Sequence, residues 1–204
     1  MTAGDAHRAF IVERWPELHV DTFVPVEGGW ECFTYLLNGE WVFQLPRLPG
    51  ADERLRKQMT VPPELAREVS SAVPVPAYAS IDPVCMGYRL IVGRPISATF
   101  DGIWPERLGR FLYDLHLTPP EFLGMRSRSA EAARDFDLAW ILHAWPNIGA
   151  RVLGAYGGAP DDRFLTRARF AFMLMPWHEV KYGRQSDLPE FVRSGLAGVR
   201  DRLP

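Results

Sequence analysis

The most constraining feature of the chain is a hairpin signal close to its N-terminus. Residues 27–47 read "EGGWECFTYLLNGEWVFQLPR", in which runs of β-branched and aromatic residues flank Asn38-Gly39. An Asn-Gly pair between two such runs favours the tight turn that joins antiparallel strands. Together with the segment before it, this stretch predicts strands near residues 20–26, 31–37 and 41–45.

Helices and two more strands are predicted on either side of this hairpin. Apolar residues of the segment 6–18 fall on one side of a helix. Residues 49–59 predict a second helix, which continues as a broken helix over residues 61–72. Residues 73–81 and 86–96 are typical of strands, and the prolines of the first confine it to a sheet edge or a connection.

The second half of the chain has helical patterns throughout. Residues 103–118 place four apolar side chains on one helix face: Leu108, Phe111, Leu112 and Leu115. Further helices are predicted over residues 130–146, 147–158, 160–183 and 188–203, with a kink or break at Pro176. A sheet followed by helices predicts an α+β chain of two lobes, residues 1–95 and 96–204.

Charge and composition exclude several classes of function. The 204-residue chain has a formal net charge of -2 and a pI of about 6.2, so it lacks the basic footprint of a nucleic-acid-binding protein. No apolar run approaches the ~20 residues that span a bilayer, and the first residues do not form a signal peptide. Cys32 and Cys85 lie far apart, without metal-ligand spacing. We therefore predict a cytoplasmic protein with two free thiols and neither a nucleic-acid nor a membrane partner.

Six stretches, taken in chain order, carry a likeness to a known family. They are "EGGWECFTYLLNGEWVFQLPR", "RLRKQMTVPPELAREVSSAVPVPAY", "MGYRLIVGRPI", "LGRFLYDLHLTP", "DFDLAWIL" and "FLTRARFAFMLMPWHEVKYG". Together they resemble the aminoglycoside and macrolide phosphotransferases. The resemblance implies a protein-kinase-like α+β fold with an antiparallel sheet lobe and a reduced helical lobe. It also implies γ-phosphoryl transfer from ATP or GTP, with magnesium, to a hydroxyl of an antibiotic or similar small molecule.

The resemblance also implies which residues form the site. The family's glycine turn approaches the phosphates, and "MGYRLIVGRPI" is similar to the strand and hinge that line its adenine pocket. The nucleotide-binding positions implied in this way are Gly28, Gly29, Trp30, Gln44, Gln58, Arg89, Leu90 and Ile91. A weaker implication is that His178 and Glu179 face the substrate, because family members often meet cationic antibiotics with acidic residues from these helices.

Charge is where the chain departs from the family. By the resemblance, a Lys or Arg belongs at Gln44, and an amide can hydrogen-bond a phosphate but does not neutralise its charge. A Glu belongs at Gln58, and the alternative, Glu53, lies more than one helical turn away. Strand alternation puts Arg47 on the face opposite Gln44, unless Pro46 ends the strand and turns it back.

The largest departure is the missing catalytic loop. The family's His-Gly-Asp loop, its following Asn and its metal-binding Asp normally lie between the post-hinge helix and the Asp-Leu-Ala helix. Here "TPPEFLGMRSRSAEAAR" replaces them, with Glu121 and Glu131 but no Asp or Asn. Asp135 and Asp137 lie at i and i+2, on different faces of a helix, and the resemblance gives Asp137 a structural role at a helix start. We therefore assign no catalytic and no metal-binding residue.

Three interpretations follow from these departures. The chain is a phosphotransferase with weak or no catalysis, since phosphoryl transfer needs a base, a metal clamp and charge neutralisation. Alternatively, it is the same fold holding a nucleotide or partner without transfer. The third interpretation is an interaction module, in which shortening exposes the apolar helix 164–177 and a homo-oligomer covers it.

Overall fold

The computed structural model describes residues 2–27, 29, 31–93, 102–119, 127–157 and 161–203, and the side chains of all of these except residues 61, 62 and 127–133. The chain divides into two compact units. One consists of Met1–Glu68 and Ala72–Arg94, the other of Val69–Ser71 and Pro95–Pro204. An antiparallel sheet with two helices forms the first unit, and helices form the second. This arrangement confirms the predicted α+β class.

The sheet unit is built on five antiparallel strands, which lie side by side in the order β1-β2-β3-β5-β4. The strands are β1 (Phe23–Val26), β2 (Cys32–Leu37), β3 (Trp41–Pro46), β4 (Pro76–Ile81) and β5 (Val84–Arg89), and the helices are α1 (Ala3–Arg14) and α2 (Ala51–Glu68). The proline-containing strand β4 lies at an edge of the sheet, as predicted, because a proline there has no ladder hydrogen bond to donate.

The Asn38-Gly39 turn joins β2 to β3 as predicted. Both residues have positive φ, 53° at Asn38 and 68° at Gly39, which Asn and Gly adopt with little strain. The Asn38 side chain also accepts hydrogen bonds from the backbone N–H groups of Asp21 (2.9 Å) and Thr22 (3.0 Å). The turn therefore anchors the segment that leads into β1 and fixes the register of the hairpin.

Each face of the sheet is covered by one helix. On the first face, Ile11, Trp15 and Leu18 pack against the buried strand residues Tyr35, Leu37, Phe43, Leu45 and Cys85. We call this the α1 face. On the other face, which we call the α2 face, Leu55 and Met59 of α2 pack against Val84, Met86, Cys32 and Tyr88. The alternation of side chains along each strand assigns every strand residue to one of the two faces.

Two sequence predictions are wrong in this unit. The predicted break after residue 59 does not occur, because α2 is a single helix of 18 residues through Pro62 and Pro63. Ala51, Leu55 and Met59 form a stripe that faces the sheet. The free energy gained by burying this stripe offsets the cost of the helix hydrogen bonds that the prolines cannot donate. The strand predicted over residues 86–96 is also displaced, since β5 begins at Val84 and ends at Arg89.

The described helices of the second unit are α3 (Trp104–Leu117), α4 (Ser127–Ala144), α5 (Pro146–Ala155), α6 (Asp162–Leu174), α7 (Pro176–Gln185) and α8 (Pro189–Arg202). The predicted apolar face of α3 is confirmed, because Leu108, Phe111, Leu112 and Leu115 pack with Leu138 of α4 and Val152 of α5. The predicted break at Pro176 is the junction of α6 and α7. None of the helices described is long and apolar enough to cross a membrane.

Asp137 does not lie at a helix start, contrary to the role that the resemblance implied. It lies well inside α4, and its Oδ2 is 3.3 Å from Nε2 of His116 on α3. Nδ1 of His116 lies 2.6 Å from the hydroxyl of Tyr156, and Arg134 donates to the backbone carbonyl of His116 at 2.8 Å. Helix α4 begins ten residues before Asp137, so Asp137 does not cap it. Its contact with His116 instead connects α4 to α3.

Candidate functional site

The α2 face of the sheet contains the position where the family resemblance requires a cation. Gln44 lies in the middle of β3, directly opposite Thr34 on β2 and Met86 on β5. Directly opposed residues of antiparallel strands share a face, and Met86 packs beneath Leu55 of α2. Gln44 is half-buried. The fold therefore places it on the surface between the strands and α2, and its place at a phosphate position stays a prediction.

Gly29 belongs to this same surface. A Cβ at Gly29 would lie 2.9 Å from the backbone oxygen of Cys32 and 3.3 Å from Oγ1 of Thr34. Only glycine fits so close an approach without a shift, and Thr34 is the cross-strand neighbour of Gln44. The described part of the glycine turn therefore lies on the α2 face, close to Gln44. Gly28 and Trp30, the other two turn positions implied by the resemblance, lie outside the described residues.

The electrostatics of this surface are close to neutral. Both cross-strand neighbours of Gln44 are uncharged. The cations at the start of α2 are engaged elsewhere: Arg54 with Glu31 at 2.7 Å, Arg56 with Asp52 at 2.7 Å, and Lys57 with Glu53 at 3.4 Å. Glu53, the alternative partner considered from the sequence, is therefore held by Lys57. Each of these three cations is paired with an acidic side chain, and none of the described ion pairs includes a cation next to Gln44.

The two arginines closest to Gln44 in sequence or by strand pairing lie on the other face. The guanidinium of Arg47 lies 5.6 Å from the centroid of the Phe33 ring, which packs against the core of the α1 face. Arg89 pairs with Glu40 and lies 5.5 Å from the Trp41 ring, also on the α1 face. Alternation therefore holds for Arg47 as predicted, and Arg89 is not brought together with Gln44.

The remaining implied positions are spread over the sheet unit. Gln58 is exposed on α2, one residue before Met59, which packs on the sheet. Among the described hydrogen bonds, none joins Gln58 to Gln44. Leu90 and Ile91 follow β5 and are exposed, and the Leu90 N–H donates to the carbonyl of Glu40 at 2.7 Å. The roles of these three residues in nucleotide binding stay predictions.

Sequence reasoning missed three residues that complete the α2 face. Glu31 binds Arg54 and so connects the end of the glycine turn to α2. Burial raises the pKa of the Cys32 thiol, with a smaller contribution from Glu31. Burial also raises the pKa of Tyr88, and the neighbouring Cys32 adds to it. The alternation of side chains that assigns Gln44 to one face would also assign Cys32 and Tyr88 to it, once the hairpin register and the pairing of β3 with β5 are known.

The two implied substrate residues lie on α7 of the helical unit. His178 is exposed, and its ring centroid lies 5.4 Å from that of Phe136 on α4. Glu179 is half-buried next to it. The aromatic contact occupies one side of the His178 ring, so His178 joins α7 to α4. Contact of either residue with a substrate stays a prediction.

The described residues do not fit a magnesium site. Within the described ranges, no three His, Cys, Asp or Glu side chains come together as a group that could hold a metal ion. Asp135 is buried, but Arg167 donates to both of its oxygens, at 2.7 and 3.2 Å. Asp137 contacts His116. Glu121 lies outside the described residues, as does the side chain of Glu131, and no Asp or Asn occurs between Asp114 and Asp135.

Comparison with known proteins connects this site to a family. The model of the phosphotransferase enzyme family matches residues 22–153. No curated protein sequence matches the chain.

Several solved structures have the same fold. The GDP complex of aminoglycoside 2'-phosphotransferase-IIIa is 12% identical, with a TM-score of 0.84 and coverage of 98% of both chains. A GDP and kanamycin complex of APH(2")-IIIa gives 12% identity, a TM-score of 0.82 and coverage of 97% of this chain and 98% of that one. For macrolide 2'-phosphotransferase MphH from Brachybacterium faecium, the identity is 15%, the TM-score is 0.64, and the match covers 94% of this chain and 97% of that one.

The family model spans more than half of the chain and includes the whole hairpin, Gln44 and α2. The structural matches, at such low identity, show that the kinase-like fold of these enzymes is shared. The chain belongs to the phosphotransferase enzyme family.

Proposed function

We propose that this chain is an aminoglycoside-phosphotransferase-like protein with weak or no phosphoryl transfer. The observation that carries the proposal is Gln44, an uncharged side chain at the centre of the α2 face, opposite Thr34 and Met86 and close to the glycine turn. The family reaction moves the γ-phosphoryl group of ATP or GTP to a hydroxyl of an antibiotic or similar small molecule. That chemistry consists mostly of positioning and charge neutralisation.

The size of the expected defect follows from what the site lacks. Removing one preorganised donor from a site where charge develops typically costs about 10²–10³ in kcat, or about 3–4 kcal/mol. Here the cation is replaced by Gln44, and the segment 115–134 carries no Asp or Asn to act as base or to hold magnesium. These losses act on the same transition state, so we propose that transfer is at most residual.

Nucleotide binding is a separate property. Family relatives are described in complexes with GDP and with GDP and kanamycin, which supports a nucleotide as the ligand of this fold. An amide at Gln44 still donates hydrogen bonds to a phosphate oxygen. We propose that any nucleotide binding by this chain is weak and independent of magnesium, and that its ligands are small molecules of the cytoplasm.

A thermal-shift titration with ATP and GTP, each with and without magnesium, tests this proposal. Ligand that binds the folded state raises the midpoint by mass action. We expect no magnesium-dependent rise. A magnesium-dependent rise, followed by phosphate transfer to kanamycin or a macrolide in a radiolabel assay, would overturn the proposal.

Matched variants of Gln44 sharpen the test. Gln44→Lys restores the cation, and we expect it to increase the nucleotide-dependent shift at low salt, because the phosphates then meet a positive charge. Gln44→Met has a similar length without charge or hydrogen bonds, and serves as the control. If Gln44→Lys and Gln44→Met give the same nucleotide response, Gln44 is not at a phosphate position.

A second candidate function is supported by a different observation in the helical unit. The exposed apolar side chains of α4, α6 and α7 include Phe136, Trp140, Leu165, Phe170, Leu174 and Trp177. We propose as the alternative that the chain is an interaction module in which a second copy covers these residues. Light scattering at micromolar concentration tests it, since a monomeric mass would count against it.

A pair of matched variants locates the contact. Phe170 is 61% exposed on α6, and Ile81 is 62% exposed on β4 of the sheet unit. If α6 mediates self-association, Phe170→Ser lowers the mass found by light scattering and Ile81→Ser does not. An equal effect of both variants would contradict the assignment to α6.

A further inference from the structure

The α1 face of the sheet unit contains a cleft that the proposed function does not use. Its volume is about 620 Å³, and its lining includes Gly4, Asp5, Arg8, Phe23, Phe33 and Tyr35. Cavities of this size accommodate small organic ligands. All of the lining residues come from the start of α1 and from the hairpin β1–β2. The cleft is therefore distinct from the α2 face, where Gln44 lies.

The walls of the cleft formed by the hairpin are aromatic and contact one another. Phe23 stacks on Tyr35, with 4.3 Å between ring centroids and 25° between ring planes. The Tyr35 hydroxyl lies 2.8 Å from Nδ1 of His7, and His7 contacts the Phe33 ring at 5.0 Å. Tyr35 is buried beneath Phe23, and the half-buried Phe23 and Phe33 offer apolar surface to a ligand with an apolar body.

The side of the cleft formed by the helix presents one negative and one positive charge. Asp5 and Arg8 are exposed and three residues apart on α1, a spacing that puts side chains on the same helix face. No described ion pair joins them or engages either with another charged residue. Hydrogen bonds from Thr2 hold the pKa of Asp5 below its usual value, so its carboxylate is ionised at neutral pH.

Among the other polar groups near the wall, the guanidinium of Arg47 lies 5.6 Å from the centroid of the Phe33 ring, whereas His7 and Tyr35 add no charge at neutral pH. Burial lowers the pKa of His7 and raises the pKa of Tyr35, so both side chains are neutral. Two backbone amides at the start of α1 are engaged by the capping box, in which Oγ1 of Thr2 accepts from Asp5 N–H at 3.2 Å and Oδ2 of Asp5 accepts from Thr2 N–H at 2.8 Å. The carboxylate of Asp5 adds a negative charge beside these amides, so the cleft is not simply an anion site at a helix N-terminus.

We propose that this cleft binds a small zwitterion with an apolar body, such as a free α-amino acid with an aromatic side chain. Asp5 faces its ammonium group, Arg8 faces its carboxylate, and Phe23, Phe33 and Tyr35 contact its apolar part. A zwitterion is complementary to both charges, whereas a neutral ligand would leave Asp5 and Arg8 to their local hydrogen bonds and water, and a ligand with one charge would complement only one of them. The guanidinium of Arg8 also donates to the carbonyl of Val20 at 3.0 Å, which holds it beside the hairpin.

Isothermal titration calorimetry with L-phenylalanine tests the proposal on the full chain. We expect saturable binding below about 10 mM, and at least about tenfold weaker binding of phenethylamine and 3-phenylpropionate, each of which lacks one charge. No saturable heat up to about 10 mM overturns the proposal. Equal affinity for all three compounds overturns the part assigned to Asp5 and Arg8.

Variants of Gly4 locate the site. A Cβ at Gly4 would point toward Tyr35, 4.0 Å from its ring carbon Cε1 and from its hydroxyl, without a clash. Gly4→Phe therefore fills the cleft and abolishes binding, whereas Gly4→Ala leaves room and retains it. Circular dichroism and the thermal midpoint test whether both variants fold. Unchanged binding by folded Gly4→Phe places the ligand elsewhere and overturns the proposal.

Charge variants give a second readout that does not depend on filling the cleft. Asp5→Asn weakens phenylalanine and phenethylamine but not 3-phenylpropionate. Arg8→Gln weakens phenylalanine and 3-phenylpropionate but not phenethylamine. If neither variant changes the affinity for phenylalanine, the assignment of the two charges is wrong.

Discussion

The two faces of the sheet are made from the same five strands but have different roles. The core cluster of the α1 face contains eight buried residues, with aromatic packing around Trp15 and Phe43, and Arg47 and Arg89 lie against its rings. The described core cluster of the α2 face contains three, Leu55, Val84 and Met86, and the amide of Gln44 lies at the centre of this face. The comparison shows that Arg47 and Arg89 lie on the face with the larger buried cluster, and that Gln44 and its cross-strand neighbours on the other face are uncharged.

The comparison predicts unequal losses of stability from large-to-small substitutions. Phe43 is 0% exposed at the centre of the α1 face, so Phe43→Ala should reduce the free energy of unfolding by about 3–5 kcal/mol. Met86→Ala, on the α2 face, should cost less, about 2 kcal/mol. Urea unfolding monitored by circular dichroism measures both. An equal or larger loss for Met86→Ala would contradict the assignment of stability to the α1 face.

The two cysteines report the same contrast by their reactivity. Burial raises the pKa of Cys85, on the α1 face, to about 12. The pKa of half-buried Cys32, on the α2 face, is raised by burial and, to a smaller extent, by the charge of Glu31. We expect iodoacetamide at pH 8 to modify Cys85 about a hundredfold more slowly than Cys32, since Cys85 needs unfolding to react. Mass spectrometry of the alkylated peptides measures the two rates, with Cys32→Ser as the control for peptide assignment.

The pKa of Cys85 also predicts how stability depends on pH. The folded value of about 12 exceeds the ordinary value of 9.0, so the folded state favours the protonated thiol. This contribution is fully present below pH 9 and is lost as the pH rises from about 9 toward 12. Cys85→Ala should flatten the decline of the urea midpoint above pH 9, and an unchanged decline would contradict the prediction.

The close packing of Gly87 against the Phe43 ring predicts a smaller loss of unfolding free energy. Gly87 lies opposite Phe43 across β3 and β5, and a Cβ there would lie 2.5 Å from the ring carbon Cζ. Gly87→Ala should therefore cost about 1–3 kcal/mol through overpacking. Phe43→Leu should relieve part of that cost, so the double variant should lose less than the sum of the two single losses. Strict additivity in urea unfolding would mean that the ring and the glycine do not interact.

The arginines of the α1 face should have the smallest effects on stability. Arg89 is largely exposed, pairs with Glu40 and stacks on Trp41, so Arg89→Gln should cost no more than about 1 kcal/mol. Arg47→Gln should cost a similar amount. Raising the salt concentration should reduce the difference between Arg89→Gln and the parent protein, because the ion pair is screened. A loss above that of Gly87→Ala would show that the charges contribute more than the packing.

Much of the fold could be predicted because its signals are local. The Asn38-Gly39 turn, the three strands around it, the apolar face of α3 and the junction at Pro176 each depend on residues within a few positions of one another. The break predicted in α2 was wrong because the packing of Leu55 and Met59 on the sheet overrides the local effect of two prolines. Asp137 was misplaced for a related reason, since only the packing of α4 against α3 shows that it reaches His116.

The candidate site could be predicted only in part. The substitution of an amide for a cation at Gln44 is visible in the sequence once the family likeness is seen, as is the lack of Asp and Asn in the segment 115–134. Arg89 and Gln44 lie on opposite faces of the sheet, because the pairing of β3 with β5 puts Arg89 opposite Trp41, and the role of Arg89 in nucleotide binding stays a prediction. The cleft beside α1 had no sequence signal, since it depends on where α1 packs against the hairpin.

The sequence by itself determined the secondary structure of most segments, the order of the two units and the absence of charge at Gln44. The tertiary structure decided which side chains share a surface. Alternation along a strand divides its residues into two sets, but the sets of different strands are matched only by their long-range pairing and by the helices that cover them. That matching placed Gln44 near the glycine turn and Arg89 away from it, and it brought Asp5 and Arg8 beside the aromatic residues of the hairpin.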